Sequence, residues 1–304
     1  MIEMLGGCQM EIRKVAVIGC GAMGAGIAQV VLQGGYEVIV RETDEALLNK
    51  GLGRVKAAFE KLVTKQAITR ETAEATVKRL GGTVSLEPLS DCDLIIEAIF
   101  ENLQAKIDQF KALDKVCKKE AIFASNTSSL SITQMAAATS RKEQFIGMHF
   151  FQPAPVMPLV EVVRTISVGP ELLKIALDFV KSLGKVPVLA KDNAGFIVNL
   201  LFTPFMLDAM RAASNGVASV EDIDRGMKLG LNHPMGPLML ADYIGLDLIF
   251  NAANVMFEEY RESRYAPPPV LRKMVMMGYL GAKTKRGFYD WSDPKNPKPT
   301  DLNA

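Results

Sequence analysis

Past a short leader, apolar and polar positions alternate between two periods. Val15 to Ile18 is a compact apolar run of the kind that a strand buried on both faces requires. Ala25 to Leu32 reads as a helix, and Tyr36 to Val40 as a second strand leading to Glu42. Helical spacing returns from Asp44 to Lys65 and from Thr69 to Leu80. "DLIIEAI" (Asp93 to Ile99), "AIFASN", "QFIGMHF", "LVEVVRT" and "VPVLA" read as further strands, with helices over Gln104 to Lys118 and Pro170 to Leu183. Strands alternating with helices predict an α/β domain with a doubly wound, mostly parallel sheet. The segment between "QFIGMHF" and "LVEVVRT" is too short for a helical crossover, so that pair is expected to be antiparallel.

After "KDNAG" (Lys191 to Gly195) no convincing strand follows. Phe196 to Ser214, Ser219 to Leu229 and Gly236 to Arg261 read as helices. Pro267 to Pro269 break the chain before a shorter helix and the tail "GYLGAKTKRGFYDW". The expected organisation is therefore an α/β domain over residues 1–190 and an all-α domain over 191–304.

The first strand–helix junction carries "VIGCGAMGAG". Gly19, Gly21 and Gly24, with Ala22 and Met23 between them, give G-x-G-x-x-G. One glycine makes a tight turn, one admits a pyrophosphate close to the backbone, and one lets the helix pack on the strand. The helix N-terminus then offers N–H groups and positive dipole charge to phosphate. The same glycines occur in turns that bind nothing, so the motif alone is weak. Here it follows a strand and opens a helix, and Glu42 lies eighteen positions after Gly24, where a ribose-binding carboxylate is expected. The combination predicts a dinucleotide site.

A net charge of +1 gives no drive toward nucleic acid or an anionic membrane. No apolar run approaches the roughly eighteen residues of a membrane helix. The leader "MIEMLGGCQMEIRK" lacks the features of a secretory signal and is assigned no function. Cys8, Cys20, Cys92 and Cys117 form neither C-x-x-C nor a metal-ligand spacing, which fits reduced thiols in a cytoplasmic setting and no bound metal.

One of only two histidines, His149, ends a predicted strand in "HFFQPAPVMPLVEVV". Glu161 interrupts the apolar strand expected to pair beside it. A lone histidine is more often a satisfied core residue. A carboxylate inside a neighbouring apolar strand reverses that preference, because a buried charge without a partner is expensive. Histidine suits removal of a hydroxyl proton while hydride leaves for a nicotinamide.

Taken together, "VIGCGAMGAGIAQV", "EAIFENLQAK", "ASNTSSLSI", "GMHFFQPAPVMPLVEVV", "GFIVNLL" and "NHPMGPLMLADYIGLD" resemble the 3-hydroxyacyl-CoA dehydrogenases, in the manner of the short-chain bacterial 3-hydroxybutyryl-CoA dehydrogenases. The resemblance spans about Arg13 to Trp291. It implies a Rossmann-like NAD-binding domain, a helical substrate and dimerisation domain, and reversible oxidation of an L-3-hydroxyacyl-CoA to the 3-ketoacyl-CoA. His149 matches the catalytic histidine and Glu161 its partner. Ser128 matches the serine near the reacting oxygen, and Asn199 the asparagine that completes the site. Glu101, Lys106 and Lys283 match positions that meet the cofactor. Lys65 matches a lysine near the CoA phosphates, although a solvated surface lysine explains it equally well.

Two positions depart from the family pattern. Gln152 stands where "HFFNP" has an asparagine that helps to hold the nicotinamide ribose, which puts cofactor affinity in question. Leu200 replaces an arginine, a change with no physical account. His233, in a proline-flanked turn, reads as structural. Two other readings stay open: a dehydrogenase of a free 3-hydroxy acid on the same scaffold, and a nucleotide-binding relative without turnover. The methionine-rich stretches "PFMLDAM", "NVMF" and "KMVMM" suggest a homodimer through the helical domain, with an ordinary core as the alternative.

Overall fold

The computed structural model describes residues 11–301; Cys8 and most of the leader lie outside them. The chain divides into two compact units between Asn193 and Ala194. The first unit opens with β1 (Lys14–Ile18), α1 (Ala22–Gln33), β2 (Glu37–Arg41), α2 (Glu45–Thr64), α3 (Arg70–Val77) and β3 (Leu80–Thr83). It continues with β4 (Leu94–Glu97), α4 (Leu103–Asp114), β5 (Ile122–Ser125), α5 (Ile132–Ala137) and β6 (Phe145–Phe150). It closes with β7 (Leu159–Arg164), α6 (Pro170–Ser182) and β8 (Val186–Lys191).

These strands form one sheet in the order β3-β2-β1-β4-β5-β6-β7-β8. The strands from β3 to β6 run parallel. β6 and β7 pair antiparallel, as their short connection requires, and β8 runs parallel to β7. The chain first steps from β1 to β2 and β3, then crosses back to lay β4 on the other side of β1. That reversal falls between β1 and β4, whose carboxyl ends are the usual ligand position in such sheets. Val15, Val17, Leu94 and Ile96 in these two strands are all fully buried, which accounts for their uninterrupted apolar sequence.

The first unit departs from the sequence reading at two places. Leu80, expected at a helix end, starts β3; "LGGT" pairs with β2 through its backbone, and its two glycines hide it from a hydrophobic pattern. The short α5 was not expected. It is held at its start by Ser131, whose hydroxyl accepts from the Gln134 N–H, and by Asp192, which accepts from the Ile132 and Thr133 N–H groups.

The second unit contains α7 (Val198–Ser214), α8 (Val220–Leu231), α9 (Pro237–Ile244), α10 (Leu246–Tyr260) and α11 (Pro269–Met276). The single helix expected over Gly236 to Arg261 is two, bent by 97° at Gly245. Gly245 has φ +114, a conformation that L side chains rarely adopt, so the glycine permits the break. The unit is also not purely helical: β9 (Tyr289–Asp290) and β10 (Lys298–Pro299) pair antiparallel in the tail. Met206, Leu207, Met210, Met256 and Met274 are buried, so much of the methionine richness is spent on the unit's own core. No single described helix is long and apolar enough to cross a membrane, although the bent α9–α10 pair passes on length and composition.

Candidate active site

The glycine turn fits a dinucleotide on its geometry. Gly19 has φ +86, and a Cβ there would lie 2.9 Å from the Ala98 carbonyl oxygen. A Cβ on Gly24 would collide with the Gly19 carbonyl oxygen, so α1 packs as closely on the turn as backbone allows. A Cβ on Gly21 would meet nothing, which leaves space beside the N-terminus of α1. That terminus has no side-chain cap and no acid in its first turn, so nothing in the helix competes with a phosphate for Ala22 and Met23. Glu42 follows β2 and accepts from the Cys20 N–H at 2.5 Å, which brings its carboxylate against the same turn. The adjacent Arg41 donates to Gln109 Oε1 at 3.1 Å, and its Nε has no partner among the described residues.

The antiparallel register of β6 and β7 sets His149 directly opposite Glu161. Directly paired residues project to the same face, so the histidine and carboxylate meet. His149 Nδ1 lies 2.7 Å from Glu161 Oε2, with the histidine 6% and the glutamate 0% exposed. The Phe151 ring lies against the imidazole at a centroid distance of 4.4 Å. Burial makes such a pair costly unless its geometry is good, and here the geometry is good.

The loop after β5 reaches toward this pair. Asn126 Oδ1 accepts from the N–H of Phe150, the residue after His149, at 2.8 Å. Ser128 is half-buried, and its N–H donates to Glu101 Oε1 at 3.1 Å. Glu101 also accepts from the Thr127 hydroxyl at 2.5 Å and lies 3.3 Å from Lys106 Nζ. Lys106 is 1% exposed, and its ammonium lies among the carboxylates of Glu97 and Glu101.

The remaining candidates stand elsewhere. Gln152 is exposed in the β6–β7 loop, and Lys65 is exposed at the C-cap of α2. In the second unit Asn199 is half-buried in the first turn of α7. Lys283 donates to both oxygens of Asp247, at 2.5 and 2.6 Å. The His233 ring packs edge-on against Phe205. The Cys20, Cys92 and Cys117 thiols are free and buried; burial pushes Cys20 and Cys92 up to about 12 and Cys117 up to about 11. Among the described residues no group of three or more His, Cys, Asp or Glu side chains could hold a metal ion.

Sequence reasoning passed over Glu97, at the end of β4 and fully buried. The signal was present: a carboxylate inside the apolar run "DLIIEAI", the same cue that singled out Glu161. It also passed over two carboxylates buried in the second unit: Asp224, on the charge-rich α8 where no such contrast marks it, and Asp242, the one charged residue in the apolar α9 "PLMLADYI", where the cue was again present.

Comparison with known proteins agrees with this geometry. Residues 14–193 match the family model described as 3-hydroxyacyl-CoA dehydrogenase, NAD binding domain, and residues 195–291 match its C-terminal domain. A probable 3-hydroxybutyryl-CoA dehydrogenase of Deinococcus radiodurans is 44% identical over 278 residues, covering 91% of this chain and all of that one. The 3-hydroxybutyryl-CoA dehydrogenase of Clostridioides difficile is 44% identical over 92% of this chain and 99% of its own. The crystal structure of (S)-3-hydroxybutyryl-CoA dehydrogenase from Ralstonia eutropha superposes with a TM-score of 0.90 at 41% identity, covering 93% of this chain and 100% of that one. By sequence over both of its units, and by fold, this chain belongs to the 3-hydroxyacyl-CoA dehydrogenase family.

Proposed function

We propose that the protein is an NAD-dependent dehydrogenase that reversibly oxidises a short-chain L-3-hydroxyacyl-CoA, of the 3-hydroxybutyryl-CoA type, to the 3-ketoacyl-CoA. The observation that carries this reading is the buried 2.7 Å contact between His149 and Glu161 in a sheet whose first turn is shaped for a dinucleotide. When bound, NAD supplies the hydride acceptor. Gly19, Gly21, Ala22, Met23 and Gly24 would hold its pyrophosphate and Glu42 its adenosine ribose, with Glu101, Lys106, Gln152 and Lys283 assigned to the cofactor by their family positions.

His149 Nδ1 is committed to Glu161, so the substrate hydroxyl proton is taken at Nε2. Glu161 fixes the ring and balances the positive charge that the ring acquires. The Ser128 hydroxyl stabilises charge on the reacting oxygen, as a preorganised donor in a partly desolvated site can. Asn199 is assigned a similar polar role, and Lys65 the CoA phosphates, on their family positions.

The protein is read as a cytoplasmic homodimer joined through its helical unit. Leu229, Met276 and Tyr243, at 80%, 80% and 68% exposure, are large apolar side chains left uncovered there, which supports that reading. Sedimentation giving a 33.2 kDa monomer at micromolar concentration would refute it.

The direct test is NADH absorbance with acetoacetyl-CoA. Turnover that collapses when free acetoacetate replaces the thioester supports the CoA assignment; equal rates favour a free-acid dehydrogenase. No turnover with either would leave a nucleotide-binding protein.

A further inference from the structure

We propose that Glu97 is a positioning residue that sets Ser128 for its work on the substrate. The inference rests on the reading of Ser128 given above. Glu97 is the last residue of β4 and is fully buried. Both of its oxygens are engaged, and in different directions. Oε1 accepts from Lys106 Nζ at 2.6 Å and from the Ile99 N–H at 2.7 Å. Oε2 accepts from the Ser125 hydroxyl at 2.6 Å, at the end of the neighbouring strand β5.

Each oxygen begins a chain of contacts, and the two chains meet on one loop. Along the first, Lys106 carries the connection to Glu101, 3.3 Å away, and Glu101 receives the Thr127 hydroxyl and the Ser128 N–H. The Ser128 hydroxyl is 3.5 Å from the same Glu101 oxygen. Along the second, Ser125 Oγ accepts from the Thr127 N–H at 3.2 Å. Thr127 is therefore held through its N–H by Ser125 on one side and through its hydroxyl by Glu101 on the other. The loop's first residue, Asn126, is tied to the backbone beside His149. Glu97 thus fixes the base of a loop whose one end touches the histidine strand and whose next turn carries Ser128.

The charges explain why a carboxylate is needed. Lys106 is buried and would be costly without a full counter-charge. Glu101 is partly exposed, with a side chain at 38%, and supplies only a longer contact. With Glu97 as the near partner of Lys106, Glu101 Oε1 is left to receive Thr127 and Ser128. Without it, Lys106 draws on Glu101 Oε2 and shifts the carboxylate whose Oε1 receives the loop. Misplacement of a reacting group by about 1 Å can cost on the order of 10²-fold in rate.

The test is a cycle of Glu97→Gln, Ser128→Ala and the double variant in the full-length protein, with kcat and KM measured for acetoacetyl-CoA at saturating NADH. Glu97→Gln is expected to lower kcat about tenfold while KM stays within about twofold. In the Ser128→Ala background the same change should cost less than about twofold, because its effect runs through the missing hydroxyl. Equal losses in both backgrounds would overturn the proposal, since a merely structural role does not depend on Ser128. Wild-type kcat in Ser128→Ala would instead overturn the reading of Ser128, and the proposal with it. Ser125→Ala keeps the Glu97–Lys106 pair and cuts only the hydroxyl link, so the cycle can be completed even if Glu97→Gln fails to fold. It should lower kcat about threefold and also be non-additive with Ser128→Ala; additivity there overturns the proposal equally.

Discussion

Both units bury carboxylates completely, but they satisfy them with different partners. In the first unit Glu161 faces an imidazole and Glu97 an ammonium, groups that carry or exchange protons. In the second, Asp242 accepts from the Phe288 and Tyr289 N–H groups and the Trp291 indole, at 3.0, 2.8 and 2.9 Å. Asp224 accepts from the Leu238 and Met239 N–H groups, which opens α9, and from the Tyr289 hydroxyl at 2.8 Å. These donors are fixed and neutral, and they fold the tail that bears Lys283 back onto the helices. A Cβ on Gly287 would collide with the Asp242 carboxylate, so the tail passes against it with no room to spare. On the proposed function, the same buried group would serve chemistry where its partner can change charge, and architecture where its partner cannot.

Substitutions that keep shape while removing charge separate the two cases. The largest effect is expected from His149→Gln: a loss of about 10² to 10⁴ in kcat, the usual contribution of an acid–base group. NADH binding, followed by fluorescence titration, should stay near wild type because the glycine turn is untouched. More than half of wild-type turnover would remove His149 from the reaction. Glu161→Gln should cost less, about 10- to 100-fold, in keeping with the roughly 1.5–3 kcal/mol of a charge-assisted hydrogen bond. Its amide can orient the ring but cannot balance an imidazolium. A rate and pH profile matching wild type would dissolve the pairing.

Asp242→Asn is expected to leave the site's chemistry alone and to lower stability by about 1–3 kcal/mol, because the amide cannot accept from all three donors. Its pH dependence is the sharper reading. Burial pushes the Asp242 carboxyl up to about 6, against the pull of the Trp291, Phe288 and Tyr289 donors. A carboxyl that titrates higher folded than unfolded loses stabilising effect as pH rises from about 4 through about 6. Over that span wild type should forfeit about 3 kcal/mol that the asparagine variant never had. The gap in melting temperature between the two should therefore narrow from pH 4 to pH 7. Widening would mean that the donors outweigh burial.

The smallest effect concerns the cofactor. Glu42 is half-buried beside the Cys20 N–H, where it is expected to disfavour a 2′-phosphate, so NADH should exceed NADPH in kcat/KM. Arg41 is engaged with Gln109 and should soften the preference without reversing it. Glu42→Ala should shrink the ratio by about tenfold, the scale of one charge-assisted hydrogen bond. Equal or better wild-type efficiency with NADPH would give Arg41 control of the pocket.

The sequence by itself determined the alternation of strands and helices, the glycine turn, Glu42 and the pairing of His149 with Glu161. Each is a local signal: a period, a spacing, or one charged residue among apolar neighbours. The antiparallel pair was legible because a short connection leaves no other choice. Only the tertiary structure decided the rest. β3 pairs through backbone that no side-chain pattern reports, and the break at Gly245 depends on a φ value that helical spacing conceals. Lys106 lies in a helix that reads as ordinary and amphipathic, yet it is buried because Glu97 and Glu101 arrive from other segments to receive it. Asp242 is the one charge in the apolar α9, but the donors that satisfy it come from the tail and are visible only once the tail has returned. Such residues owe their state to partners outside their own helix, and the cost of burying charge is settled only where those partners meet.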